Sequence, residues 1–130
     1  MTPDDRRYSS EHEWARVDGD EVVVGITDFA QTQLGDVVYV ELPRVGDQVK
    51  QMKVMGVIES VKAASDLYSP VTGEVVAVND AAVSEPQAIN DSPYERGWLI
   101  RVRPDNLDEL KGLMSAEEYD LHVSDRGAEE

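Results

Sequence analysis

The sequence predicts a mainly β protein, a sandwich or barrel made of two related units, with short helices at its periphery and C-terminus. Three observations carry this prediction. Short runs of Val, Ile, Leu and Tyr separated by turn residues fill the chain up to about position 103, which is the spacing of an all-β architecture rather than of strands alternating with long helices. In the last of these runs Trp98, Ile100 and Val102 alternate with Leu99, Arg101 and Arg103, the twofold period of a strand with one buried face. A short motif also recurs: Pro43, Gly46, Asp47 and Val49 are repeated as Pro70, Gly73, Glu74 and Val76, an offset of 27 residues, which points to duplicated β units.

In chain order the expected strands are 22–26 (VVVGI), 37–42 (VVYVEL), 54–61 (VMGVIESV), 73–78 (GEVVAV) and 98–103 (WLIRVR), with a further strand starting at Leu67. Between the first two, TDFAQTQLG reads as a short helix in which Thr27 is the cap, Phe29, Ala30 and Leu34 face inward, and Gly35 ends the helix. Each Pro-to-Gly motif supplies a turn feeding a strand, because Pro fixes φ and Gly tolerates positive φ. After the last strand, Leu107, Leu110, Leu113 and Met114 recur at helical spacing, and Ser115 with Glu118 forms a capping box for a second helix. Residues 1–130 are expected to form a single domain, with a β core over 22–103 and a C-terminal helical segment over 105–122 that frays after His122. The arginines of the last strand are expected to form a solvated face.

Composition narrows the partners. The formal net charge is −15, so nucleic acid and anionic membranes are repelled at long range, while basic protein surfaces are attracted. The chain has no cysteine, hence no thiol nucleophile, disulfide or thiolate metal site, and any redox chemistry must come from an added group. The opening MTPDDRRYSS lacks an apolar signal core, and no stretch approaches the roughly 18 apolar residues of a membrane span. A cytoplasmic protein without a metal is therefore expected.

The stretch GVIESVKAAS, residues 56–65, runs from an apolar strand into Lys62, which lies 16 residues after Gly46 and 11 before Gly73. The lysine thus falls between the repeated motifs and inside neither. Lysines on turns are ordinarily solubilising charges. At the tip of a hairpin with the compact neighbours Val61, Ala63 and Ala64, however, an amine protrudes on a rigid stem where a modifying enzyme can reach it.

Four stretches, SSEHEW (9–14), VGITDFAQTQLGDVVYVELP (24–43), GVIESVKAASDLYSPVTGEVVAVN (56–79) and INDSPYERGWLIRV (89–102), resemble the H-protein family of the glycine cleavage system. The resemblance spans nearly the whole chain, and ESVKAASD followed by SPVTGEV is its most specific part. It implies a lipoyl-domain-like hybrid β sandwich of two quasi-symmetric units, a monomer with no turnover of its own, and (R)-lipoate amide-linked to Lys62. It also implies the partners: a pyridoxal-phosphate glycine decarboxylase that loads an aminomethyl group, a tetrahydrofolate-dependent aminomethyltransferase that removes it, dihydrolipoamide dehydrogenase, which reoxidises the arm, and the lipoylating enzymes.

The same resemblance assigns Glu59 and Gly73 to recognition by the lipoylating enzyme, and places Glu13 and Asp66 beside the docked arm. Members of the family often carry histidine where this chain has Phe29, so docking here is expected to be more apolar. Three other readings stand beside this one. Lys53 in MKVM (52–55) resembles a biotinyl lysine, although it lies 7 residues from Gly46 and 20 from Gly73. His12 with Glu11 and Glu13 contains the residue types of a small hydrolase, without a recognised catalytic motif. A carrier of the same fold could also donate lipoyl groups to other complexes.

Overall fold

The β-branched runs become strands that share their hydrogen bonds between two antiparallel sheets. The computed structural model describes residues 2–129. Among them the strands are β1 (Arg7–Tyr8), β2 (Glu13–Asp18), β3 (Glu21–Ile26), β4 (Val37–Glu41), β5 (Gln48–Val49), β6 (Val54–Ser60), β7 (Ala64–Tyr68), β8 (Gly73–Val78) and β9 (Ile100–Pro104). One sheet has the order β1-β2-β3-β9-β8-β5 and the other β4-β6-β7. The apolar run of β3 is explained by burial on both faces. Val22, Val24 and Ile26 join the main core with Ile58, Leu67, Ile100 and Val102, while Val23 packs on the other side with Tyr8, Trp14 and Tyr119.

The repeated motif pairs with itself. Gln48 lies opposite Glu74 and Val49 opposite Gly73, and the Gly46 N–H donates to the Val75 carbonyl at 2.8 Å while the Val75 N–H donates to the Asp47 carbonyl at 2.8 Å. The two copies therefore run antiparallel about a local twofold relation. The same 27-residue offset relates β4 to β7, which flank β6 in the smaller sheet, so the repeat reaches both sheets.

Helix α1 (Asp28–Leu34) forms where its signals lie. Thr27 accepts from the Ala30 N–H at 3.2 Å, and Gly35, at φ 81°, donates its N–H to the Gln31 carbonyl. Ala30 and Leu34 pack on the main core. The five-residue helices α2 (Asp80–Ser84) and α3 (Gln87–Asp91) are too short to show a period in sequence.

Some expectations are corrected. Strands β1 and β2 precede the core expected over 22–103, because pairing with β3 and burial of Trp14 hold a segment whose charges hide its pattern. Leu99, read as outward, is fully buried: β9 begins only at Ile100, and Leu99 instead donates its N–H to the Val24 carbonyl at 2.7 Å. The arginines of β9 are ion-paired rather than merely solvated, Arg101 with Asp18 and Glu21 and Arg103 with Glu74. Residues Leu107–Gly112 form a 3₁₀ helix, consistent with the strict three-residue spacing of Leu107, Leu110 and Leu113. The last helix, α4 (Ala116–Glu129), continues past His122.

The capping box at the start of α4 forms as read: Ser115 N–H donates to Glu118 Oε1 at 2.9 Å, and Glu118 N–H donates to Ser115 Oγ at 3.2 Å. The Ser115 backbone N–H, and after it the Ser115 side chain, hold the Glu118 carboxyl below its usual range. Ser115→Ala is expected to destabilise the chain by about 1 kcal/mol, measurable by urea unfolding. No helix of the described residues is long and apolar enough to cross a membrane.

Candidate functional site

Strands β6 and β7 form a hairpin whose last ladder pair is Glu59 with Ala64. Its turn is held from within: the Ser60 N–H donates to the Ala63 carbonyl at 2.7 Å, and Ser60 Oγ accepts from the Ala63 N–H at 3.1 Å. Lys62 stands exposed at the tip. The turn is also anchored from outside, since the Val61 N–H donates to the Asp36 carbonyl at 3.0 Å. Asn90 fixes that anchor, accepting from the Val37 N–H at 2.8 Å and donating to the Gly35 carbonyl at 2.9 Å. The Lys62 stem lies over Gly35, where an added Cβ would come within 3.3 Å of Lys62 Cε. A lysine on such a stem has a fixed base and a free amine.

Beside the tip a groove of about 340 Å³ opens between α1, β2 and β7. Its lining brings together Glu13, Phe29 and Asp66, with Leu34, Ile58 and Leu67 supplying apolar surface. Ala63 and Ala64 are part of the same wall, so the groove begins at the residues next to Lys62.

Glu13 is only 2% exposed. Ser9 Oγ donates to its Oε1 at 2.6 Å, and the Tyr68 N–H donates to its Oε2 at 3.1 Å. The carboxyl thus joins β2 of the larger sheet to β7 of the smaller. Burial outweighs both donors and raises its pKa from the ordinary 4.5 to about 8. Between these values the folded chain keeps a proton that the unfolded chain loses, so the contribution of Glu13 to stability is fullest below pH 4.5 and is lost as pH rises to about 8. Glu13→Gln should flatten that decline, read as the difference in unfolding free energy between variant and wild type across the same window.

Phe29 is half-buried, its ring centroid 4.9 Å from that of His12. Asp66 is exposed on β7, and Glu59 is half-buried on β6 beside the turn. Gly73 is not part of this cluster. It starts β8, beyond the whole length of β7 from the tip, and is buried where a Cβ would come 2.2 Å from the Arg103 carbonyl oxygen.

The rival centres do not assemble. Lys53 sits in the turn at the other end of β6, where its carbonyl accepts from the Ser69 N–H at 3.1 Å. His12, at φ 74°, has its Nδ1 2.8 Å from the Tyr119 hydroxyl, which in turn lies 2.7 Å from Thr27 Oγ1. That chain fastens α4 to the residue before β2, and the hydroxyl that meets the histidine belongs to the buried Tyr119. Sequence reasoning missed Ser9 and Asn90, whose importance lies in contacts made far along the chain. No group of three His, Asp or Glu residues able to hold a metal occurs among the described residues.

Comparison with known proteins gives the family. Residues 6–126 match the family model described as glycine cleavage H-protein. The glycine cleavage system H protein of Anaeromyxobacter sp. (strain K) is 53% identical over 124 residues, covering 95% of this chain and 97% of that protein. The probable glycine cleavage system H protein of Natronomonas pharaonis is 54% identical over 122 residues, covering 94% and 96%. The crystal structure of a glycine cleavage system H protein from Mycobacterium marinum superposes with a TM-score of 0.87 at 41% identity, covering 94% of this chain and 98% of that one. Matched over nearly its full length by the family model and by these relatives, this chain belongs to the glycine cleavage H-protein family.

Proposed function

We propose that this chain is the lipoyl carrier of glycine cleavage, holding lipoate in amide linkage on Lys62. It would present that arm in turn to glycine decarboxylase, aminomethyltransferase and dihydrolipoamide dehydrogenase, without turnover of its own and in the cytoplasm. The observation that carries this reading is the exposed amine of Lys62 on a doubly anchored turn at the mouth of the groove containing Glu13, Phe29 and Asp66. Bound lipoate would supply the dithiolane that the cysteine-free chain lacks, a sulfur pair able to take up and give back a one-carbon unit.

The residues present fit such a group. Leu34, Ile58 and Leu67 line the groove and would shield an aliphatic arm from water. Phe29 would pack against it without offering a hydrogen bond. An amine brought in at the end of the arm is a cation near neutral pH. Beside it, the buried Glu13 would give up its proton, because an adjacent positive charge favours the carboxylate, and Asp66 would add a second charge-assisted contact. Covalent attachment keeps the effective concentration of the cargo high at each successive active site.

The test of attachment is intact-mass analysis after incubation with lipoate, ATP and a lipoate–protein ligase. One lipoyl increment on the peptide containing Lys62 is expected, and a biotinyl increment or one on Lys53 would reject the assignment. The groove is tested by loading the carrier with glycine and the decarboxylase. Glu13→Gln and Asp66→Asn should each shorten the lifetime of the loaded carrier by about tenfold, the effect of one charge-assisted bond. Unchanged lifetimes in both variants would make these carboxylates structural only.

A further inference from the structure

Val38, Tyr39 and Val61 are 56%, 46% and 69% exposed, and the register places them at one end of the molecule. Val37 lies opposite Ser60 and Tyr39 opposite Glu59, while the Val61 N–H is bound to the Asp36 carbonyl. The ladder is irregular between Val37 and Tyr39, so the neighbours Val38 and Tyr39 are both left in solvent instead of alternating in and out. In the smaller sheet, order β4-β6-β7, this apolar rim lies on the β4 side of Lys62, and the groove lies on the β7 side. Three exposed apolar side chains beside one lysine tip, on a chain of net charge −15, offer a surface that a partner can cover, with the Tyr39 hydroxyl turned to Glu41.

We propose that Val38, Tyr39 and Val61 are the footprint of the enzyme that acylates Lys62, an enzyme with an apolar lip around its active-site mouth; this rests on Lys62 being the lipoylated residue. The argument is one of reach. A bare lysine amine lies only a few bonds from the backbone, so the acylating enzyme must close upon the tip itself, whereas enzymes that use the finished arm are served at a distance. In the reaction the neutral Nζ attacks the carbonyl carbon of an acyl adenylate. The new C–N bond forms, the C–O bond to AMP breaks, and the nitrogen loses a proton, leaving amide and AMP. The rim lies on the edge away from the groove, so the groove stays free to receive the arm.

The experiment uses the unmodified full chain with a lipoate–protein ligase, lipoate and ATP, and follows acylation by intact mass. Val61→Ser combined with Tyr39→Ser should raise KM about tenfold and leave kcat within about twofold, as expected for loss of apolar contacts in a binding surface. Val54→Ser, which removes a 54% exposed valine at the other end of β6, should change neither. Because all three positions are exposed, the variants should retain the wild-type Tm. An unchanged KM, a loss confined to kcat, or an equal effect of Val54→Ser would overturn the footprint while leaving Lys62 as the modified residue. A rise in KM seen only when pre-lipoylated variants meet glycine decarboxylase would give the rim to that enzyme and overturn the proposal. Wild-type chain left unmodified at Lys62 would overturn the carrier reading as well.

Discussion

Lys62→Arg is expected to remain folded, to gain no lipoyl mass, and to lose all glycine-dependent reduction with the partner enzymes. The charge is kept and the reach nearly so, but a guanidinium protonated at any working pH is a poor acyl acceptor. The fold should tolerate the change, because the turn is held by bonds of Ser60, Ala63, Val61 and Asp36 that involve no Lys62 side-chain atom. Its Tm should therefore match wild type within about a degree or two, the range of a surface substitution. Lysine is the group asked to react, so the activity loss should be complete rather than graded. A lipoyl increment persisting in this variant, on Lys53 or elsewhere, would show that another amine accepts the arm.

What could be read from the sequence depended on how local the determinant was. Helix α1 was legible because Thr27 and Gly35, its cap and its stop, lie at its two ends. The capping box of Ser115 and Glu118 was legible for the same reason. Strand β3 announced itself by an unbroken apolar run. Strand β2 did not, because Glu13, Arg16 and Asp18 interrupt its pattern and its place is set by pairing with β3. The burial of Glu13 was invisible locally, since one of its donors, Tyr68, is 55 residues away. Lys62 stood out through its position between the repeats, but the gathering of Glu13, Phe29 and Asp66 was foreseen only through family resemblance. Nothing in the spacing of those three residues puts them in one groove. Asn90 escaped notice altogether, because an asparagine that ties Gly35 to Val37 leaves no periodic trace.

Gly73 divides the resemblance from the geometry, and substituting it should give a large loss of stability. The resemblance implies that this glycine helps a lipoylating enzyme recognise its lysine. Yet it is buried in the larger sheet, opposite Val49 on β5 and Pro104 on β9. An alanine Cβ there would meet the Arg103 carbonyl oxygen at 2.2 Å and Val102 Cγ1 at 2.8 Å. The first is backbone, so relief requires β8 and β9 to part, at a cost of about 3 kcal/mol. For a chain of this size that lowers Tm by about 10 °C. Well below the new Tm, nearly all molecules remain folded, the β6–β7 hairpin lies at a distance, and acylation of Lys62 should proceed at close to the wild-type rate. Recognition acting through the fold thus predicts that modification falls only with the folded fraction as temperature rises. A Gly73→Ala chain with wild-type Tm and slow acylation would instead place the glycine in direct contact with the modifying enzyme.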